Sequence, residues 1–283
     1  MELVYENSAG EKLTIGPKPF TLVTFEGLGG VEADTQKQRS PFQDGSTYLD
    51  SFLIDRSVSI VIVAHGETEA DLSKKRMTLS RVFSPKAGIG TLNLKIGNEE
   101  KQLGVVSEQV PFFPDGQGNQ GPNFQRVLVE LTAPDPYWKS PSVEESPAFE
   151  PLFEFPFEGE FEMGISRDAR IINNDGSAPA PLQVDFYGPA VNPRIENKTT
   201  GEFIQVNQTL EENEYMRIDT TPGQKSVVFV SDDGSERNVF NWIDLESTFF
   251  KLVVGENEIE YTADSNIQGA VVDITWNKLY AGV

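Results

Sequence analysis

The second half of this 283-residue chain is cut into short lengths by turn signals: Asn173-Asn174-Asp175-Gly176, Thr199-Thr200-Gly201, Glu211-Glu212-Asn213, Thr221-Pro222-Gly223, Asp232-Asp233-Gly234 and Gly255-Glu256-Asn257. Glycine supplies positive φ, proline presets φ, and Asn and Asp side chains bond their own backbone, so each cluster stops a regular element. No helical period runs between them. Punctuation this dense leaves room for short strands and predicts a β-sandwich or jelly roll from Arg170 onward.

The first half also reads as mostly β. Ser57 to Ala64 places Val58, Ile60 and Ile62 on one face and Val61 and Val63 on the other, which predicts a strand buried on both sides. Leu92, Leu94 and Ile96 alternate up to Gly97-Asn98, and Lys101 to Val106 returns, as in a hairpin. The exception is Thr68 to Phe83, where Thr68 can cap, Asp71 holds the capping-box position, and Leu72, Leu79 and Phe83 recur at helical spacing. Glu67, Glu69 and Asp71 precede Lys74, Lys75, Arg76 and Arg81, an order that complements the helix dipole, and Ser84-Pro85 ends the helix.

Residues 139–151 hold three prolines, three serines and three glutamates with little to bury, which predicts a linker between domains at 1–138 and 152–283. Beyond it, Phe153 to Glu162 alternates aromatic and acid, interrupted by Pro156, the pattern of an edge strand or clasp. The chain has no cysteine, so neither disulfides nor thiolate ligands hold it and the fold rests on packing. Its net charge of −21 repels a phosphate backbone and argues against a sequence-specific nucleic-acid reader. That charge is uneven. Residues 1–138 carry 13 Lys/Arg against 18 Asp/Glu, a net of −5, and residues 139–283 carry 10 against 26, a net of −16.

Met1 to Lys12 lacks the basic region and apolar core of a secretory signal, and the longest apolar run, Ile60 to Ala64, is far below the ~20 residues of a membrane span, so a soluble chain is expected. Asn197-Lys198-Thr199 and Asn207-Gln208-Thr209 are then chance sequons. Catalytic motifs are scarce. His65 is the single histidine and sits at a strand end, leaving no pair for zinc and no relay. No Gly-x-Ser-x-Gly elbow occurs, and Gly27-Leu28-Gly29-Gly30 lacks the strand and helix of a dinucleotide site. Ser231 to Glu236 reads as a hairpin turn rather than a calcium loop. We expect no catalytic residues, no cofactor and no metal.

A series of phrases carries a resemblance. Phe25-Glu26-Gly27-Leu28-Gly29-Gly30, Pro41-Phe42-Gln43-Asp44-Gly45-Ser46, Val82-Phe83-Ser84-Pro85-Lys86, Glu108 to Gly116, Phe124 to Leu131 and Ala133-Pro134-Asp135-Pro136-Tyr137-Trp138 are similar, in order and spacing, to the N-terminal belt domain of siphophage distal tail proteins. Asn192 to Glu202, Ser247 to Asn257, Trp276 and Tyr280-Ala281-Gly282-Val283 resemble the family's galectin-like C-terminal domain. The implied fold is mainly β, a β-sandwich-type belt domain with one helix followed by a galectin-like jelly roll.

The implied role is structural and non-enzymatic. A hexameric ring at the tail tip of a virion, made in the bacterial cytoplasm from a phage or prophage genome, would join the tail tube protein to tail-tip or lysin-type baseplate proteins and to receptor-binding proteins, with DNA passing through its lumen. A mildly acidic belt without a basic patch is slippery to phosphate, as a lumen requires. Lys74, Lys75, Arg76 and Arg81 are the candidate oligomer-interface residues. A second reading is a carbohydrate-binding module that attaches the virion to the host wall, and a third is a wall-degrading enzyme. Galectins read galactose with a strand-borne histidine, whereas the second half here has none; Trp242, with Arg237 and Asn238, is the candidate sugar contact, set against Trp242 filling a sandwich core.

Overall fold

The computed structural model describes residues 1–145, 168–265 and 271–283, and divides into two units, Met1–Pro141 with Tyr280–Val283, and Ser142–Leu279. The first unit holds β1 (Glu2–Glu6), β2 (Lys12–Ile15), β3 (Phe20–Glu26), β4 (Ala33–Gln38), β5 (Thr47–Leu53), β6 (Arg56–His65) and α1 (Glu69–Val82). β7 (Gly90–Ile96), β8 (Glu99–Ser107), β9 (Gln120–Gly121), β10 (Phe124–Ala133) and β11 (Trp138–Lys139) follow. Its main sheet runs β2-β1-β7-β8-β10-β6-β3. β8 serves both halves: Glu99 to Val105 pairs with β7, while Val106 and Ser107 pair with β10.

The alternation of residue types decides which face closes. On β10, Val127, Val129, Leu131 and Ala133 are buried at a period of two and meet Leu3, Tyr5, Leu92, Leu94 and Leu103 from the other half of the sheet. Full burial of such a side chain stabilises by ~1.5–3 kcal/mol, so this cluster supplies what disulfides cannot. α1 forms where its caps dictate. Thr68 Oγ1 accepts the Asp71 amide at 3.2 Å, Asp71 Oδ2 accepts the Glu67 amide at 3.0 Å, and Leu72, Leu79 and Val82 are buried. Phe83 caps the far end and stacks on Tyr5 with ring centroids 4.5 Å apart.

Three expectations change here. β6 is fully buried on one face only: Val58, Ile60 and Ile62 are enclosed, but Val61 and Val63 are half-buried, because the described residues cover that side of the sheet only in part. The stretch expected as a linker is in part strand, since Trp138–Lys139 is β11 and Val143–Glu145 is β12; residues 146–151 of it, and the Phe153 to Glu162 pattern, lie outside the described residues. The last four residues group with the first unit rather than the second. There Tyr280 packs on the core, and the Val283 amide donates to the Leu28 carbonyl at 2.9 Å.

The second unit comprises β12, β13 (Asp168–Asn174), β14 (Leu182–Tyr187), β15 (Ala190–Val191), β16 (Arg194–Asn197), β17 (Glu202–Gln205) and β18 (Thr209–Leu210). β19 (Glu214–Asp219), β20 (Ser226–Ser231), β21 (Glu236–Asn238), β22 (Gly255–Thr262), β23 (Val272–Trp276) and β24 (Leu279–Tyr280) complete it, the last spanning the point where the chain passes back to the first unit. One sheet runs β12-β23-β14-β19-β20-β21 and another β13-β22-β16-β17, both antiparallel. Inward residues of the first, Val184, Phe186, Met216, Ile218, Phe229 and Ile274, are buried, as are Ile172, Ile195, Ile204 and Ile259 of the second. Phe186 meets Tyr261 edge-on at 6.0 Å between the two sheets, as in a sandwich. The Thr221-Pro222-Gly223 and Asp232-Asp233-Gly234 signals join β19 to β20 and β20 to β21. Gly255-Glu256-Asn257 instead opens β22: the fully buried Asn257 side chain bonds both the amide and the carbonyl of Val253 at 2.8 Å and closes the preceding loop, while its backbone pairs with Ile172.

Candidate functional site

The least self-sufficient part of the first unit is the hairpin β4–β5. It forms a two-stranded sheet of its own, from Ala33 opposite Leu53 to Gln38 opposite Thr47, with a register shift between Gln36 and Lys37. An isolated hairpin of this kind is marginal in water. Yet Tyr48, Leu49 and Phe52 are more than half exposed along it. Its tip is fastened by three bonds: the Gln43 amide to the Ser40 carbonyl at 3.2 Å, the Ser40 amide to Gln43 Oε1 at 3.1 Å, and Arg39 Nε to the Gln43 carbonyl at 3.1 Å. Phe42 sits at the apex with φ of 66° and its whole side chain in solvent. A non-glycine residue in that region is uncommon, and here the tip bonds on either side hold it.

The second feature is the partly covered face of β3, β6 and β10. Thr24, Val61, Phe112, Pro114, Arg126 and Leu128 line a shallow cavity of about 290 Å³ there. Phe112 is held against β10 by a reciprocal pair of backbone bonds with Leu128, at 2.8 and 2.9 Å, and its ring remains 56% exposed. A larger open groove of about 620 Å³ lies among Leu94, Ile96, Lys101, Tyr280 and Val283, with Lys101 Nζ 3.9 Å above the Tyr280 ring.

The four basic residues of α1 are not equivalent. Lys75 Nζ bonds Asp71 Oδ2 at 2.7 Å, and this bond, with the Glu67 amide, holds the Asp71 carboxyl below its ordinary range. Arg81 pairs with Glu11 at 3.0 Å. Both are thus engaged within the chain, while Lys74 is exposed and Arg76 half-buried. His65 Nε2 lies 3.1 Å from Thr21 Oγ1 at the end of β6, and its amide donates to the Pro19 carbonyl at 2.8 Å, tying β6 to the turn before β3.

In the second unit Trp242 does not fill the core. It stands on a single 3-10 turn, Phe240–Trp242, with 54% of its surface exposed, while Phe186, Phe229, Phe250 and Trp276 occupy the interior. The sequence carries no amphipathic period around Trp242 that could have told these positions apart. Arg237 lies over the Phe229 ring and reaches Glu214 at 3.2 Å, and Asn238 Oδ1 accepts the Phe240 amide at 2.9 Å. Asn238 thus shapes the turn, while Arg237 is engaged by Phe229 and Glu214. Phe240 in turn stacks on Phe249 at 5.7 Å, so the turn that carries Trp242 is fixed by an aromatic pair. Among the described residues no cluster of His, Asp or Glu is arranged to hold a metal ion, and no helix is long and apolar enough to cross a membrane.

Two family models match the chain: a phage tail protein RIFT-related domain over residues 9–133, and the C-terminal domain of the siphovirus-type tail component over residues 175–280. The chain belongs to the siphophage distal tail protein family. Solved structures share the family's fold at low identity. The SPP1 Dit (gp 19.1) protein, described as a paradigm of the hub adsorption apparatus in phages infecting Gram-positive bacteria, aligns with a TM-score of 0.69 and 13% identity over 98% of both chains. A chain of the phage P2 baseplate in its activated conformation with Ca aligns with a TM-score of 0.57 and 9% identity over all of both chains. The corresponding baseplate with Sr gives 0.52 and 10% over 96% of this chain and 97% of that one. No curated protein sequence matches. The hairpin and the partly covered sheet face both fall within the matched tail-protein domain, which puts the candidate interaction surface in the family's N-terminal half.

Proposed function

We propose that this chain is a ring-forming structural adaptor of a phage tail tip, built from copies of itself through its first unit, and not an enzyme. The observation that carries the reading is the β4–β5 hairpin, whose apolar side chains and fully exposed tip are left uncovered by the described residues of their own chain. Exposed apolar surface on a strand pair is what an assembling subunit presents and what a free-standing monomer avoids. The similarity to a hub protein and to baseplate chains supports the same reading. In this account six copies surround a channel for DNA, the tail tube protein lies on one side of the ring, and tail-tip and receptor-binding proteins lie on the other.

Charge favours the first unit as the ring former. A net of −5 over residues 1–138 repels far less when copies crowd round an axis than the −16 of residues 139–283. Of the basic residues on α1, Lys74 and Arg76 are the ones we assign to contacts with a neighbouring copy, with Lys75 and Arg81 serving Asp71 and Glu11 at home. Electron micrographs of the purified chain test this. Closed rings support the adaptor, and isolated particles at every concentration contradict it.

The exposed indole of Trp242 favours one second reading, a glycan-stacking surface on the second unit. A glycan array on the full chain and on Trp242→Ala separates the two, since sugar stacking predicts retention that the substitution abolishes.

A further inference from the structure

Two surfaces of the first unit are complementary, and neither satisfies the other within one chain. Phe42 is fully exposed, so it does not occupy the cavity on the β3–β6–β10 face of its own unit. We infer that Phe42 seats in the cavity lined by Val61, Phe112 and Leu128 of a second copy of this chain. The inference rests on the ring reading and deepens it by naming the contact.

Size, shape and charge point to this occupant. The cavity's volume of about 290 Å³ falls just below the ~300–1,000 Å³ of small-molecule sites, and its lining offers an apolar floor with an exposed aromatic ring at one side. Such a floor receives a single aromatic side chain, and the half-exposed Phe112 supplies a ring for it to pack against. Asp44 lies on the tip two positions after Phe42, and Arg126 lines the cavity, so an acid and a base are available to pair across the contact.

The tip is also pre-organised. Ser40, Gln43 and Arg39 lock its backbone, and Phe42 is held at φ of 66°, a conformation that L side chains leave unless something fixes it. A knob fixed before contact loses little freedom on binding. Finally, knob and cavity are different patches of the same unit, so their union is head-to-tail. Contacts of that type close into rings when the rotation between copies closes, which a self-complementary patch would not do.

The absence of cysteine gives a clean test. Phe42→Cys in one preparation and Phe112→Cys in another are mixed under oxidising conditions, while wild type, Phe42→Ala and Phe42→Leu are imaged and weighed beside them. Phe42 touches no core, so all variants should keep the wild-type circular dichroism spectrum. The expected result is a disulfide-linked pair of chains in the mixture beyond that in either preparation alone, rings lost in Phe42→Ala, and rings kept in Phe42→Leu. Rings that persist in Phe42→Ala, with no mixed disulfide, overturn this contact and leave the ring reading standing. A wild-type chain that remains monomeric at all concentrations overturns both.

Discussion

Arg56 donates a 2.6 Å hydrogen bond from Nη2 to the carbonyl of Ala281, 225 positions later in the chain. The same guanidinium reaches the carbonyls of Pro136 at 2.7 Å, Gly27 at 2.8 Å and Gly29 at 3.4 Å, and only 1% of the residue is exposed. Burial pulls its pKa below the ordinary arginine value. One side chain therefore gathers the Gly27-Leu28-Gly29 loop, the segment before β11 and the returning C-terminus. Trp138 adds a bond from Nε1 to the same Gly27 carbonyl at 3.0 Å.

Arg56→Met keeps the aliphatic stem and leaves these carbonyls to water or to nothing. Removing one partner of buried hydrogen bonds costs ~1–3 kcal/mol per orphaned group when water cannot enter, so a loss of about 3 kcal/mol in the first unit is expected once partial solvation is allowed. Arg56→Lys should recover less than half, because an ammonium cannot span a fork of carbonyls. Denaturant titration followed by tryptophan fluorescence, with Trp242 and Trp276 replaced by Phe so that Trp138 alone reports, measures both. A Lys variant as stable as wild type would mean that the charge, not the fork, matters.

Deleting Tyr280–Val283 removes the Lys101–Tyr280 contact, the Val283 to Leu28 bond and the Ala281 acceptor together. We expect calorimetry to show the melting of the first unit shifted down by several degrees, since ~1 kcal/mol moves a domain of this size by roughly 2–4 °C. An unshifted melt would show the returning tail to be ornamental. A fragment ending at Trp138 lacks these same residues and should be less stable than the unit within the full chain.

Glu196 provides a pH signature for the second unit. Burial alone would raise its pKa, but the bonds from Arg194 at 2.8 Å and Lys198 at 3.1 Å outweigh burial and hold it below the ordinary carboxylate value of 4.5. A depressed folded-state pKa contributes stability that is present above the unfolded value and lost as pH falls through the folded one. Stability measured downward from pH 5 should therefore fall, and Glu196→Gln should flatten that part of the slope. An identical acid slope in the variant would assign the loss to other carboxylates.

How much of this was legible in the sequence depends on whether a segment answers to local or distant partners. α1 was fully legible, because its Thr68 cap and the Leu72, Leu79 and Phe83 period act within a few residues. The Gly97-Asn98 hairpin and the turns of the second unit were legible for the same reason. β4 was not: Ala33-Asp-Thr-Gln-Lys-Gln38 has no apolar alternation, since all six of its residues are exposed, and its hairpin was not read from the sequence. The buried Arg56, the half-covered Val61 and the exposed Trp242 depend on residues far away in sequence, and composition carries no trace of such partners.

The tip of that hairpin offers a separation of stability from assembly. Phe42→Gly accepts φ of 66° without strain but enlarges the freedom of the unfolded chain, effects of ~1–2 and ~0.5–1 kcal/mol that oppose one another. The variant should melt within about 1 kcal/mol of wild type and yet fail to form rings. Equal loss of both properties would show that the tip's conformation, not its phenyl group, supports assembly.

The most direct test of the central claim is the solution mass of the full chain, by light scattering across a wide concentration range at low and high salt. Surface ion pairs are screened within ~8–10 Å, whereas an apolar knob in its cavity is not, so the account predicts a closed oligomer at six times the chain mass of 31.4 kDa that survives high salt. A single mass of 31.4 kDa under every condition would contradict it.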